Sequence, residues 1–173
     1  MRKLVALLFP LAILLLSTHP APAQAPQGFV AEYLQQLDDL QTKIVSLAEA
    51  MPEPKYAWRP GTGVRSVGEV YTHIAGSNRA VAKLLGSSTD AASAAPKTKA
   101  EILADLKDSF STLRATALKV SDPDKPIDLR GKPVTTRSLM IRSLGHLHEH
   151  LGQSIAYART NAITPPWSQK TAD

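Results

Sequence analysis

Apolar residues recur along most of this chain at spacings of three and four, the period of a helix with one face turned inward. Phe29, Tyr33, Leu37, Leu40, Ile44 and Leu47 draw the first such stripe. Ala48 and Ala50 carry it to Met51, where Pro52 and Pro54 stop it. The stretch from Pro52 to Arg65 is irregular, punctuated by Pro60, Gly61 and Gly63. Ser66-Val67-Gly68-Glu69 then reads as a capping box, in which a hydroxyl and a carboxylate satisfy amide donors that the first helical turn leaves unpaired. Val70, Ile74, Val81 and Leu84 form the stripe behind it, up to Gly86.

A Ser- and Ala-rich connection follows from Ser87 to Lys97. A second capping box, Thr98-Lys99-Ala100-Glu101, opens a third helix with Ile102, Leu106, Phe110, Leu113 and Leu118 as its stripe, ending near Val120. Asp122, Pro123, Asp124 and Pro126 break the pattern, and residues 127–134 suit a short extended segment. Thr136 is the expected cap of a fourth helix. Its apolar positions Leu139, Leu144, Leu147, Leu151, Ile155 and Ala158 run to about Asn161, before Pro165 and Pro166. Four helices of roughly 20 residues are each about 30 Å long. Matched amphipathic lengths favour an all-α four-helix bundle, a single domain over residues 24–173.

The start of the chain has another character. Arg2 and Lys3 precede an unbroken apolar run from Leu4 to Leu16, and Ala21-Pro22-Ala23 follows. A positive start, a short apolar core and an A-x-A site are the marks of a signal peptide, expected over residues 1–23. The run is short of the ~20 apolar residues of a spanning helix, and Pro10 interrupts it. The expectation is export to the periplasm or beyond, with no stable membrane insertion after cleavage. The chain has no Cys, hence neither a disulfide nor a lipid-anchoring thiol. The whole chain carries +5. Without Arg2 and Lys3 there are 18 basic against 15 acidic side chains, or about +3. The basic residues are scattered, and no basic stripe or Arg/Lys-aromatic motif argues for nucleic acid as a partner. A small-molecule substrate fits better, and a homodimer stays open.

Candidate chemistry lies in the histidines. His73 falls on the second helix, and His146, His148 and His150 on the fourth. Residues four apart stack on one helix face, so His146 and His150 point the same way, while His148 lies about 200° around from His146. An H-x-x-x-H pair can hold a metal with two imidazoles, although such pairs also occur on helices that bind none. Leu147 stands where a zinc protease would have its Glu. A lone histidine such as His73 is ordinarily a core residue. Glu149 lies about 60° from His146 and is a candidate base, or simply a solvated carboxylate. Gln153, one turn beyond His150, could orient a ligand or a water, or bond between helices. Tyr56, Trp58, Tyr157 and Trp167 suit sealing of the bundle end better than lining a substrate mouth.

Taken in order, several of these residues resemble the DinB-like family. The likeness runs from Pro52 and Tyr56-Ala57-Trp58-Arg59-Pro60 through Val64-Arg65-Ser66-Val67-Gly68-Glu69 to His73-Ile74-Ala75-Gly76. It ends with His146-x-x-x-His150-x-Gly152-Gln153, Tyr157, Arg159 and Pro165-Pro166-Trp167. The resemblance implies an antiparallel four-helix bundle with a divalent metal held by His73, His146 and His150. It gives His148 no ligand role. Similar proteins include transferases and isomerases that use low-molecular-weight thiols, a cosubstrate that export would put out of reach. Three neutral imidazoles leave a divalent ion its full charge and an open position, as in catalytic zinc sites. Zinc or nickel suits imidazole best. The reading is an exported, metal-dependent transferase or hydrolase; the alternative is a non-catalytic bundle that binds a metal or a small ligand.

Overall fold

The computed structural model describes residues 28–88 and 98–169. The signal peptide expected over residues 1–23 lies outside them. The described chain forms four long helices, α1 (Phe29–Ala50), α2 (Val67–Leu84), α3 (Lys99–Ala117) and α4 (Thr136–Thr160). Short 3-10 turns at Glu53–Ala57 and Pro166–Ser168 follow α1 and α4, and a hairpin of β1 (Pro126–Leu129) and β2 (Lys132–Thr135) precedes α4. No described helix is long and apolar enough to cross a membrane.

Both capping boxes form. The Ser66 hydroxyl accepts from the Glu69 amide at 3.2 Å while the Glu69 carboxylate accepts from the Ser66 amide at 2.7 Å. Thr98 and Glu101 repeat the pattern at 3.2 and 3.0 Å. The cap of α4 is Thr135, not Thr136: the Thr135 hydroxyl accepts from the Ser138 amide. Thr136 is buried instead, its hydroxyl donating to the Lys125 carbonyl. The extended segment folds back on itself in register Pro126↔Thr135 to Leu129↔Lys132. Arg130 and Gly131, at φ 56° and 80°, provide the two positive-φ positions of a tight hairpin turn.

The predicted stripes form the core. Leu37, Ile44, Leu47, Ile74, Leu106, Phe110, Leu113 and Leu147 are fully buried. Leu118 is not part of it: α3 ends at Ala117, and Leu118 is 43% exposed. Leu84 and Trp167 are also substantially exposed, so Trp167 does not seal the bundle end, whereas Tyr56 and Tyr157 are buried there. Gly68 is required by packing: a Cβ there would stand 3.1 Å from Ile102 Cδ1 and 3.3 Å from the Tyr56 carbonyl oxygen.

Cross-helix contacts give the directions. Lys99, at the start of α3, donates to the Glu49 and Met51 carbonyls at the end of α1, and Arg114 pairs with Asp38, so α1 and α3 are antiparallel. Asn78 meets Ser109 and Gly68 packs on Ile102, so α2 and α3 are parallel. Tyr33 bonds Ser143 while Arg137 covers the Phe29 ring, so α1 and α4 are parallel. His73 and Ser77 both meet His146, and His73 packs against His150, so α2 and α4 are antiparallel. Both α1 and α2 pack against α3 and α4 and face each other across the diagonal. The bundle is thus not the wholly antiparallel one expected: two adjacent pairs are antiparallel and two parallel, and the long connection between α2 and α3 is what a parallel pair of helices demands.

Candidate metal centre

The antiparallel register of α2 and α4 brings three histidines together. His73 Nε2 lies 3.0 Å from His146 Nε2, and His150 Nε2 lies 3.1 Å from the same atom. The three rings stand edge to face, their centroids 4.4 to 5.0 Å apart. One donor atom from each residue lies within 4.8 Å of the others, and all three residues are half-buried. Ser77, one turn after His73, places its Oγ 3.4 Å from His146 Nε2. His148 is exposed on the outer face, as its helical angle predicts.

The tautomer of His150 follows from its neighbours. The Arg65 carbonyl can only accept, so Tyr157 donates its phenol proton there, at 3.1 Å. The phenol oxygen must then accept from Gln153, which turns the Gln153 amide nitrogen toward Tyr157 at 2.9 Å. Gln153 Oε1 therefore faces His150 Nδ1, 2.8 Å away, and Nδ1 carries the proton. His150 Nε2 is left with its lone pair directed at the other two rings. Gln153 thus bonds the ring directly, and Tyr157 does more than seal: it fixes the amide, while the Trp58 ring meets it edge-on at 5.3 Å.

Electrostatics favour the neutral imidazole at His73 and His146. Burial, then the Arg65 guanidinium and the two neighbouring imidazoles, push His73 down to about 4. His146 is lowered by burial first and by His150; Glu149 opposes the shift. Glu149 itself is exposed and makes no hydrogen bond to the three rings among the described residues. Sequence reasoning missed Ser77 and Arg65. The signal for Ser77 was its i+4 spacing from His73, whereas Arg65 sits in an irregular segment that no periodicity could orient.

The donor set fits a divalent ion. His146 Nε2 is central to two close contacts and can be donor or acceptor, not both. As acceptor it meets the His150 lone pair head-on; as donor it divides one N–H between two rings. A cation satisfies all three lone pairs together. Metal–nitrogen bonds of ~2.0–2.1 Å set adjacent ligands about 3.0–3.4 Å apart, so the observed 3.0 and 3.1 Å need little adjustment.

Two recesses flank the histidines. One of about 1170 Å³ is lined by Ser77, His146 and Glu149, the other of about 730 Å³ by Arg65, Thr72 and His73. Comparison with known proteins agrees with the fold. A family model described as the DinB superfamily matches residues 36–154. A DinB-like protein of Bacillus cereus is similar at a TM-score of 0.70 and 16% identity, over 79% of this chain and 95% of that one. A DinB-like protein of Bacillus subtilis is similar at 0.64 and 20%, over 81% and 99%. No curated protein matches the chain.

Proposed function

The chain belongs to the DinB superfamily, and from that premise we propose that it is an exported, metal-dependent transferase or hydrolase acting on a small molecule. The observation that carries this reading is the convergence of three imidazoles, two of them favoured as neutral, with His146 in the wall of one recess and His73 in the wall of another. His73, His146 and His150 hold the ion, with zinc or nickel the best matches for an all-imidazole set. Such an ion supplies a Lewis acid that acidifies a water or thiol, or polarises a carbonyl.

The protein's own residues do the remaining work. Gln153 holds His150 in the tautomer that offers Nε2. Ser77 borders the site with its hydroxyl 3.4 Å from His146 Nε2, where it can hydrogen-bond a further ligand. Glu149, on the wall it shares with His146, is placed to receive a proton from a molecule entering there. Solvent access from two sides favours catalysis over sequestration, since a storage site has its coordination positions closed. Export rests on the basic, apolar and small-residue succession of residues 1–23 and keeps the reaction away from cytoplasmic thiols.

Elemental analysis by inductively coupled plasma mass spectrometry tests the centre. The full chain, purified as its host processes it, is compared with H73A/H150A. About one equivalent of zinc or nickel is expected in the wild type and none in the variant. No metal in either, after incubation with divalent ions, overturns the reading. The mass of the purified chain tests cleavage near Ala23.

A further inference from the structure

The larger recess is a groove between α2, α4 and the β-hairpin, with His146 and Glu149 in its wall. Its floor is apolar, built of Val81, Leu84, Leu129, Val134 and Ile141. Ile141 is 54% exposed and Leu84 38%, and because both line one groove they belong to an exposed apolar patch rather than standing singly on the surface. Around this floor stand Lys83, Arg130, Lys132 and Arg142, with Glu149 the single carboxylate, a local charge of +3. None of these four cations pairs with a carboxylate among the described residues. Arg59, Arg79, Arg114 and Arg137 elsewhere do, while Arg65 and Arg159 stand singly among the described residues; what distinguishes the groove is four unpaired cations lining one recess. The groove thus combines unpaired positive charge with an uncovered apolar surface, and it ends on a histidine of the metal centre.

We infer that this groove is the substrate cleft and that it takes an amphipathic anion. The apolar body lies on the Leu84–Ile141 floor, a carboxylate, sulfonate or phosphate sits on the cationic rim, and the part to be transformed lies beside His146. A wholly polar anion would leave the floor in water, and a neutral apolar molecule would leave the four cations without counterpart. The volume of about 1170 Å³ lies just above the ~300–1,000 Å³ of ordinary ligand pockets and has room for a small molecule with a long apolar body. The catalytic sense of this assignment rests on the metal-centre reading; the binding itself does not.

The test is calorimetric titration of the full chain, as its host processes it, with dodecanoate kept below micelle formation. Dodecyltrimethylammonium, acetate and phosphatidylglycerol vesicles are parallel probes. Saturable 1:1 binding of dodecanoate is expected, with acetate and the cationic amphiphile at least tenfold weaker. K132E/R142E, with unchanged melting temperature and metal content, should lose at least tenfold in affinity, and so should L84S/I141S. H73A/H150A should bind dodecanoate as the wild type does. If it does while no protein holds metal, the metal reading fails and the groove stands. No dodecanoate binding by metal-loaded protein overturns the groove alone. It is also overturned by equal affinity for the cationic amphiphile, by an undiminished K132E/R142E, by binding to vesicles only, or by a dimer in sedimentation that covers Ile141 and excludes dodecanoate.

Discussion

Replacing Gln153 with Leu keeps the side chain's bulk and removes both of its hydrogen bonds, the 2.8 Å bond from His150 Nδ1 and the 2.9 Å bond to Tyr157. His150 can then carry its proton on either nitrogen, and only one of those forms offers Nε2 to an ion. The direct loss is one hydrogen bond, about 0.5–1.5 kcal/mol net. Releasing Tyr157 and the ring's orientation adds to it. Groups that hydrogen-bond the far nitrogen of a metal-bound histidine commonly contribute 10- to 100-fold in affinity, about 1.4–2.7 kcal/mol. Gln153→Leu should therefore weaken zinc binding at least tenfold, measured by competition with a chromophoric chelator at neutral pH. Gln153→Glu retains an acceptor at Nδ1 and should bind at least as tightly as the wild type. Tyr157→Phe leaves Gln153 in place but free to turn over, and should fall between them. A Gln153→Leu protein that folds and binds within twofold of the wild type would refute the orienting role. So would a Gln153→Glu protein as weak as Gln153→Leu.

Three further outcomes follow from other parts of the fold. Ser77→His adds a fourth imidazole where a hydroxyl now stands, 3.4 Å from His146 Nε2; metal affinity should rise at least tenfold, and the cobalt(II) spectrum should become that of a closed four-coordinate site, about as in structural centres. Arg79→Leu leaves Asp105, whose side chain is only 13% exposed, without the guanidinium 2.7 Å away. Urea denaturation should show a loss of about 2–4 kcal/mol, short of the largest costs because burial is incomplete. Glu69 is held below the usual carboxylate range by the Ser66 amide first and then by Arg59. Its contribution is present above its unfolded pKa and is lost as pH falls through the lower folded value. Between about pH 5 and about pH 3 the melting temperature of Glu69→Gln should therefore fall less than that of the wild type.

Local signals located the helices; where they failed, the deciding contacts lay elsewhere in the chain. Ser66, Glu69, Thr98 and Glu101 carry their caps within four residues, so sequence spacing contains the whole interaction. The choice between Thr135 and Thr136 could not be made that way. Both are threonines, and what separates them is the Lys125 carbonyl eleven residues back, which receives the Thr136 hydroxyl. The hairpin was legible only as something extended, because its turn is Arg130-Gly131 with Arg130 at positive φ, a position that usually advertises itself with Asn or Asp. Leu118 stands five residues after Leu113, off the three- and four-residue spacing of the α3 stripe, and the helix had already ended. Helix directions were beyond periodicity altogether, since parallel and antiparallel packing use the same stripes.

The centre shows how much hangs on those directions. In an antiparallel pair of helices, residues four apart on one meet residues four apart on the other in reversed order. His73 and Ser77 on α2 therefore face His150 and His146 on α4, and the four positions close into one cluster. Three of its corners are imidazoles and the fourth is a hydroxyl. Had α2 and α4 been parallel, the partners would have been exchanged, with His73 facing His146 and Ser77 facing His150. The H-x-x-x-H spacing supplies two imidazole donors on one face; the bundle's packing supplies the third, and Ser77 stands at the fourth corner, in the wall of the groove that His146 also lines.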